Sequence, residues 1–474
     1  MSFHLRRTLT VSRTLPLLHN NSTSFSVPFY CRLQATKRTA SWTADGYQDK
    51  WHQHKWRRAW SPGANPRTQV KPLSLRDENG DIIWPAPKNK IKAARDFIHE
   101  CVSAKQRTLI VPDRDVDGLA SGAILERTLV LLGLDKDLIS VYTIRKGGRL
   151  DDDVSRRAMA AYKPAFIFVL DHGTQQSPPL IDAPHRAIVI DHHYAKENAH
   201  PQGALLVTAD NRPPVATSSL LTYLICLDLD EDVKEICDWL CVLGTLGELG
   251  NMAKWWQPPF PDMRPTIDMY KLNIIYQAIT LIHAPRRAAS CDVTIAWKAL
   301  RAASSPKELT KDKNLLAAKR EVHEEFMRCN KSAAPRFSAD GRVAVIYLSS
   351  ATQVHPLVAS RWAGYIYTDL VEVVLVANEG YAPGMVSFSC RVAKCAKGMN
   401  PPVDTIKFLR ETADRAADPT LRDRLGESFA RGHKVASGGK VPKAEFEELM
   451  KALKLGPKVQ GFKKTKARVL SRDV

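Results

Sequence analysis

The apolar and polar positions between residues 86 and 195 fall into two alternating patterns. Short apolar runs rich in β-branched residues, such as RTLIVPD, LISVYTIR, AFIFVLD and RAIVIDHH, predict buried strands. Between them lie segments with helical periodicity, such as KNKIKAARDFIHECVSA and LASGAILERTLVLLGL. Strands that are apolar throughout and alternate with helices are typical of a parallel sheet covered on both faces. We therefore predict an α/β fold with a parallel sheet.

The remainder of the chain contains further helices and a second α/β pattern. The segments PVATSSLLTYLICLDL and EDVKEICDWLCVLGTLGELG predict helices. The segment SPKELTKDKNLLAAKREVHEEFMRCN predicts one long charged helix that begins at its Ser-Pro pair and bridges two domains. From residue 341 onward, GRVAVIYLSS, LVEVVLVAN and MVSFSCRV predict the strands of a smaller second α/β domain.

A chain of 474 residues is too long for one ordinary hydrophobic core, so we expect several domains. The predicted segments are residues 1–40 as a presequence, 41–85 as a linker or extension, 86–265 as the first α/β domain, 266–335 as a helical connector, 336–455 as the second domain and 456–474 as a basic tail.

The composition favours a polyanionic partner. The formal net charge is +19 and the pI is about 9.5, which is typical of proteins that bind nucleic acid. A targeting segment and a basic tail also contribute to this excess of positive charge. No apolar run reaches the length of a membrane span, so we expect no membrane partner. The composition leaves the oligomeric state open.

The first 40 residues have the composition of a mitochondrial presequence. No acidic residue precedes Asp45, and the basic residues are accompanied by many hydroxyl residues. We therefore expect import into the mitochondrial matrix. The alternative is a disordered basic arm that contacts nucleic acid, in a protein of the nucleus or cytoplasm.

Acidic residues and histidines follow the predicted strands of the first domain. They are Asp113, Asp115, Asp117, Asp171, Asp191, His192 and His193. Because the carboxyl ends of parallel strands share one edge, we expect these side chains to converge there. Carboxylates held so closely repel one another unless cations lie among them. Their oxygens, together with imidazole nitrogens, suit two divalent ions, with Mn²⁺ expected and Mg²⁺ as the alternative.

The individual motifs are less specific than the set. The DxDxDG run by itself also fits a solvated loop or a calcium loop. Its Asp117-Gly118 pair predicts a sharp turn after the strand. What distinguishes the set is that each motif ends its own predicted strand.

In this order, DRDVDGLASGAIL, VLDHG, VIDHH and LGTLGELG resemble the four motifs of the DHH phosphoesterase superfamily, and DxDxDG resembles its RecJ-like branch. TQVHPLVASRWA, VSFSCRV and ARGHKVASGGKVP are similar to the second domain of that branch, the DHHA1 domain. The resemblance covers roughly residues 90–455. It implies a DHH catalytic domain that hydrolyses phosphodiesters with a water activated by two metal ions.

The resemblance also implies roles for individual residues. One ion would be held by Asp113 and Asp115 and the other by Asp117, His192 and Glu248, with Asp171 bridging both. His193 would contact the scissile phosphate or the attacking water, and Asp191 would orient a histidine. In the second domain, the implied substrate-binding residues are Ser389, Arg391, Gly432, His433, Ser437 and Gly438.

Three positions depart from the family pattern. Glu248 stands where an aspartate is usual, Arg431 stands at a normally small position, and His172 follows Asp171. The motif resemblance favours a nuclease that acts on single-stranded nucleic acid or short oligonucleotides. The alternatives are a hydrolase of small phosphates (pyrophosphate, polyphosphate or a nucleotide) and a non-catalytic scaffold that binds nucleic acid.

Overall fold

The computed structural model describes residues 80 and 83–456, apart from 195, 197–198, 211, 256, 367–369 and 427. The predicted presequence, nearly all of the predicted extension and all but the first residue of the predicted tail lie outside the described residues. Among the described helices, none combines the length and apolarity needed to cross a lipid bilayer.

The first part of the described chain is built around five strands. The strands are β1 (Thr108–Pro112), β2 (Ile139–Val141), β3 (Phe166–Leu170), β4 (Arg186–Asp191) and β5 (Ala204–Thr208). They form one parallel sheet in the order β2-β1-β3-β4-β5. The α/β fold class and the parallel sheet are therefore confirmed.

Helices cover this sheet and continue beyond it. They are α1 (Lys88–Ala104), α2 (Val116–Leu131), α3 (Asp153–Ala161), α4 (Ser218–Cys226), α5 (Asp232–Leu249), α6 (Arg264–Tyr270), α7 (Leu272–Arg287), α8 (Thr294–Ala302), α9 (Pro306–Leu309) and α10 (Lys313–Ser332). Alternate strand residues are buried on opposite faces, with Ile110 and Phe168 in one core and Leu109 and Val169 in the other. Burial on both faces explains why the strands are apolar throughout.

A second, seven-stranded sheet follows. Its strands are β6 (Arg336–Ser338), β7 (Val343–Leu348), β8 (Val373–Ala382), β9 (Met385–Val392), β10 (Arg431–His433), β11 (Ala436–Pro442) and β12 (Leu455–Gly456). Its helices are α11 (His355–Tyr365), α12 (Thr405–Asp414), α13 (Leu421–Arg424) and α14 (Lys443–Ala452). The strand order is β10-β11-β9-β8-β7-β6-β12, and only the pair β7–β8 is parallel.

The predicted long charged helix is two helices, so this part of the prediction was wrong. Helix α9 ends at Leu309, and α10 begins at Lys313. The break arises because the Asp312 carboxylate accepts hydrogen bonds from the N–H groups of Asn314 and Leu315, at 2.9 and 2.8 Å, and caps a new helix. Helix α10 does connect the two parts, because Leu315 packs in the core of the first sheet while Phe326 packs against the second.

Candidate metal centre

The first acidic motif joins the end of β1 to the start of α2. The N–H of Asp113 donates to the carbonyl of Leu170 at 2.9 Å, which ties this strand end to β3. The Asp115 carboxylate caps α2 by accepting from the N–H groups of Asp117 and Gly118 at 3.1 and 3.2 Å.

The predicted turn at Asp117-Gly118 was wrong, because both residues lie in the first turn of α2. Glycine is needed at position 118 for a different reason. A Cβ there would lie 2.7–2.9 Å from the backbone N, O and Cα of Asp113. Gly118 therefore permits the close approach that places Asp113 beside the helix.

Asp117 is fully buried and holds the start of α4. Its carboxylate accepts hydrogen bonds from the N–H groups of Ser218 and Ser219 at 2.8 and 3.0 Å, and from the Ser219 hydroxyl. Its Oδ2 lies 3.8 Å from Nε2 of His192. Both oxygens of Asp117 are thus occupied by α4, and its predicted role as a metal ligand stays a prediction.

Two groups of side chains in the described residues bring potential metal-ligand atoms within 4.8 Å of one another. They are Asp113, Asp115 and Asp171, and Asp171, His192 and His193. Five of the predicted site residues therefore converge at the carboxyl edge of the sheet. Asp171 belongs to both groups, and a ligand that bridges two ions would need such a position.

Asp171 is held in a demanding backbone conformation. Its φ is +68°, in the left-handed region that non-glycine residues seldom adopt. Its N–H donates to the carbonyl of Ile190, and its carboxylate accepts from the Ser218 hydroxyl, both at 2.9 Å. Burial, followed by the negative charges of Asp117 and Asp115, raises the pKa of Asp171 well above its usual range. A cation between these carboxylates would relieve their repulsion.

Asp191 is buried at the end of β4 and orients both histidines. Its Oδ1 accepts from the N–H groups of His192 and His193 at 2.7 and 3.2 Å, and from Nδ1 of His193 at 2.8 Å. Burial opposes the charge on each partner, but this hydrogen bond lowers the pKa of Asp191 to about 2 and raises that of His193 to about 9. The pair is therefore a carboxylate and an imidazolium.

His192 presents a buried nitrogen without a hydrogen-bond partner among the described residues. This atom, Nε2, lies 3.3 Å from Oδ1 of Asp171. Burial lowers the pKa of His192, so its ring tends to be neutral. A neutral nitrogen lone pair beside carboxylate oxygens is a donor set that fits a divalent metal ion.

Glu248 is carried to the same edge by tight helix packing. A Cβ at Gly244 would lie 2.3 Å from the hydroxyl oxygen of Ser219, and one at Gly247 would lie 2.9 Å from Cβ of Val116. These two glycines let α5 approach α4 and α2 closely enough to bring Glu248 to the centre.

Glu248 lies close enough to Asp115 and Asp117 to be affected by their charges. Burial, followed by the charges of Asp115 and Asp117, raises the pKa of Glu248 to about 7. Glu248 lies in neither of the two metal-ligand groups, and its role as a ligand stays a prediction.

Arg286 also reaches this centre, although no sequence pattern singled it out. It lies at the end of α7, with a guanidinium nitrogen 3.5 Å from Oδ2 of Asp115. Burial opposes ionisation of Asp115, but the charges of Arg286 and then His283 outweigh it and lower the pKa of Asp115 to about 2. Arg286 thus keeps Asp115 in the charged form that a cation would need.

A cleft of about 760 Å³ lies between the two sheets. Its charged lining residues are all cationic: Arg114, Arg145, Lys146, Arg391 and Lys440. None of the described residues that line it is acidic. Arg114 stands between Asp113 and Asp115 in the chain, so the segment that carries these two acidic residues borders the cleft. A cleft of this charge suits an anionic ligand.

Four of the six predicted substrate-binding residues line this cleft. They are Ser389, Arg391, Ser437 and Gly438. Gly432 and His433 are not among the lining residues; they lie on β10, which is exposed at the outer edge of the second sheet. Arg431, which stands at a position that is normally small in the family, is exposed on the same strand. The structure therefore separates the predicted set into a cleft group and an edge group.

Arg391 is a cleft cation whose guanidinium is available to a ligand. It is half-buried, and the described structure contains no hydrogen bond or ion pair to its guanidinium; burial lowers its pKa. Burial and then the charge of Arg391 lower the pKa of His355 to about 3, so this buried neighbour is neutral. Lys146, in contrast, is occupied, since it donates to the carbonyl of Ala351 at 2.7 Å and lies 4.1 Å from the centre of the Tyr381 ring.

The comparisons with known proteins agree with this geometry. Residues 107–245 match the family model described as the DHH family, N-terminal domain. No curated protein matches the chain. RecJ from Thermus thermophilus in complex with Mn²⁺ is similar in structure, with 17% identity over 78% of this chain and 55% of that one, and a TM-score of 0.54. The chain thus spans little more than half of that RecJ.

Two further structures share the fold. An exonuclease RecJ bound to manganese has 17% identity over 78% of this chain and 94% of that one, with a TM-score of 0.51. The DHH domain of a protein that belongs to a family of ribosomal proteins has 15% identity, covers 77% of this chain and 90% of that one, and has a TM-score of 0.53. At these identities the structural likeness shows the fold alone. Together with the family match, the comparisons show that residues 107–245 form a DHH-family domain and that the described chain has a RecJ-like fold.

Proposed function

We propose that this protein is a phosphodiesterase that hydrolyses single-stranded nucleic acid or short oligonucleotides with two divalent ions, Mn²⁺ foremost. The observation that carries this proposal is the position of Arg114, which lies between two acidic residues of the centre and also lines the cationic cleft. A site suited to cations is therefore adjacent in the chain to a site suited to anions, and a phosphate backbone bound in the cleft would lie beside the acidic segment.

The donor set supports two ions. Asp113, Asp115 and Asp171 would hold one, and Asp171, His192 and Glu248 the other. When bound, such a pair of ions activates a water and stabilises the charge that develops on the phosphate oxygens. Two structures with this fold hold Mn²⁺, which supports that ion for this chain. The charge repulsion around Asp171 and the unpartnered Nε2 of His192 are the features that a bound ion would compensate.

The residues around the ions would orient the substrate. His193, whose ring is 54% exposed, is held by Asp191 as an imidazolium and can donate a proton from Nε2 to a phosphate oxygen. Arg391 can bind a neighbouring phosphate through two parallel N–H groups. A cleft of about 760 Å³ accommodates a short stretch of a single strand.

The test is a substrate panel. Purified protein is incubated with Mn²⁺ and, separately, end-labelled single-stranded DNA and RNA, RNA dinucleotides and pyrophosphate. We expect Asp171→Ala to be inactive, and Asp182→Ala, which changes an exposed carboxylate paired with Arg156, is the matched control. Progressive shortening of the labelled strands supports an exonuclease, and cleavage of dinucleotides alone supports an oligonucleotidase. Orthophosphate from pyrophosphate alone would assign the site to small phosphates, and strand binding without metal-dependent cleavage would assign it to a scaffold.

A further inference from the structure

The DHH-family motif containing Asp171 has a histidine, His172, as its next residue. His172 is partly buried and lies in neither of the groups of potential metal ligands. Its Nε2 lies 2.9 Å from the carbonyl oxygen of Val111. Because a carbonyl can only accept, Nε2 carries the proton and donates it. This nitrogen is therefore not available as a ligand.

The turn that contains His172 is conformationally demanding. Asp171 has a φ of +68°, and Gly173, on the other side of His172, has a φ of +99°. A Cβ at Gly173 would lie 3.1 Å from Cγ1 of Val169 and 3.2 Å from Cγ1 of Val189. Glycine adopts a positive φ without strain, but the left-handed conformation of Asp171 persists only where its surroundings hold it.

The surroundings hold this turn from both sides. On the β4 side, the N–H of Asp171 donates to the carbonyl of Ile190 at 2.9 Å. On the β1 side, the His172 ring donates to Val111, two residues before Asp113. The two strands flank β3 in the sheet, so the His172 hydrogen bond ties the turn to the strand that carries the other acidic residues.

We propose that His172 is a positioning residue that fixes the left-handed turn at Asp171 and thereby sets the distance between Asp171 and the Asp113–Asp115 segment. Since Asp171 is the one residue shared by both groups of potential ligand atoms, a small displacement of this turn weakens both halves of the centre at once. His172, which replaces the residue usual in the family, then supports the structure of the metal centre. Its effect on metal affinity rests on the proposed function, whereas the hydrogen bond itself can be tested without metal.

Three variants test the proposal. His172→Ala removes the donor. His172→Gln keeps it, because the Gln amide nitrogen is as many bonds from Cα as the His Nε2. His185→Ala is the matched control, since the His185 ring also bonds a backbone carbonyl, that of Ala183, but before the opposite end of β4.

The first measurement uses metal-free protein and follows hydrogen exchange of the Asp171 N–H. We expect exchange to be about three- to tenfold faster in His172→Ala, as the loss of one hydrogen bond predicts, and unchanged in His172→Gln and His185→Ala. The second measurement is Mn²⁺ affinity by calorimetry without substrate. We expect it to be about 10–100-fold weaker in His172→Ala, the usual cost of removing a group that orients a ligand, and to be restored by His172→Gln.

The proposal would be overturned if His172→Ala showed the same exchange rate of the Asp171 N–H and the same Mn²⁺ affinity as the wild type. It would also be overturned if His172→Gln were as impaired as His172→Ala in both measurements. If the wild-type protein binds no Mn²⁺, the proposed metal centre fails, while the exchange measurement still decides the role of His172. Should His172→Ala not fold, His172→Asn replaces it, because its amide is one methylene shorter than that of Gln and does not reach Val111.

Discussion

The Nε2 atom of His192 lies 3.3 Å from Oδ1 of Asp171, and both side chains are buried. Burial lowers the pKa of the imidazole and raises that of the carboxyl, so each partner favours its neutral form in the protein alone. Two buried groups that both resist charging gain most from a cation that both can bind. The contact between His192 and Asp171 is therefore better suited to binding a metal ion than to stabilising the metal-free protein.

Replacement of Asp171 by Asn separates stability from binding. Asn keeps the shape of the side chain, and its oxygen can still accept from the Ser218 hydroxyl, but it cannot supply the carboxylate that a cation would bind. We expect Mn²⁺ affinity to fall by more than about 100-fold, beyond the usual effect of residues that only orient ligands. We also expect the metal-free variant to unfold at a higher temperature than the wild type near neutral pH, because the buried Asp171 carboxyl must take up a proton on folding and the Asn amide is neutral without one.

Calorimetry and thermal unfolding in EDTA measure these two effects. Asp182→Asn, on the exposed surface, should change neither. A variant at position 171 that binds Mn²⁺ like the wild type would remove Asp171 from the centre.

Glycine substitutions test how the helices bring the acidic residues together. A Cβ at Gly118 would lie 2.7 Å from the backbone nitrogen of Asp113, and one at Gly244 would lie 2.3 Å from the Ser219 hydroxyl oxygen. We expect Gly118→Ala and Gly244→Ala each to lower the free energy of unfolding by about 1–3 kcal/mol and to weaken Mn²⁺ binding, because the backbone must shift.

Gly364 is the matched control for these two variants. It lies in α11 with no atom within 4 Å of a Cβ built on it, so Gly364→Ala should be neutral or stabilising by up to about 1 kcal/mol. Urea unfolding of all three variants decides the comparison. Equal stability of the Gly118 and Gly364 variants would contradict the close approach at Asp113.

The family resemblance assigns both Arg391 and His433 to substrate binding, but their different positions predict different effects of mutation on KM. Arg391 lines the cleft and His433 does not. We expect Arg391→Ala to raise KM about 10–100-fold, as the loss of charge-assisted hydrogen bonds to a phosphate predicts, with kcat little changed. We expect His433→Ala to change KM by less than about threefold, since groups that touch no ligand contribute little to its binding.

Steady-state kinetics on one single-stranded oligonucleotide measures both variants. Arg410→Ala, an exposed arginine on α12, controls for the loss of positive charge alone. A larger effect from His433 than from Arg391 would show that substrate binds at the outer strand.

Acid should weaken the attachment of α10 to the second sheet. The Glu325 carboxylate accepts from Nε and a terminal nitrogen of Arg328, both at 2.7 Å, and from the Ser350 hydroxyl. The hydrogen bonds from Arg328 lower the pKa of Glu325 from 4.5 to about 2. Because the pKa of Glu325 is lower in the folded protein, its carboxylate stabilises the fold when the pH is above the pKa of the unfolded state. This stabilisation is lost as the pH falls through the pKa of the folded state.

We therefore expect the difference in unfolding free energy between the wild type and Glu325→Gln to shrink as the pH falls from about 5 to about 3. Urea unfolding at several pH values measures this difference. Glu324→Gln, on the exposed side of the same helix, should show no such trend. A constant difference for Glu325→Gln over this pH range would contradict the assigned ion pair.

The sheet and the residues at its carboxyl edge could be predicted from the sequence because they depend on short segments of the chain. Strands buried on both faces must be apolar, so the segments around Ile110 and Phe168 were recognisable. The acidic residues could be placed together because each follows a strand whose direction is set by the parallel arrangement.

The remaining features depend on contacts that are distant along the chain. Ser218 and Ser219 hold Asp171 and Asp117 from about 50 and 100 residues away, and only the Thr-Ser-Ser run before an apolar helix hinted at a helix start there. Arg286 had no such signal, since basic residues at a helix C-terminus are ordinary. Gly118 was read as a turn because its actual constraint, the nearby backbone of Asp113, is visible only in the fold.

The most direct test of metal-dependent cleavage is the release of labelled nucleotide from a single-stranded oligonucleotide by the full chain, with Mn²⁺ and with EDTA, beside Asp171→Asn. We expect the wild-type protein to cleave the oligonucleotide in Mn²⁺ and not in EDTA, and we expect the variant to cleave it under neither condition. Cleavage that persists in EDTA, or that Asp171→Asn retains at the wild-type rate, would contradict this expectation.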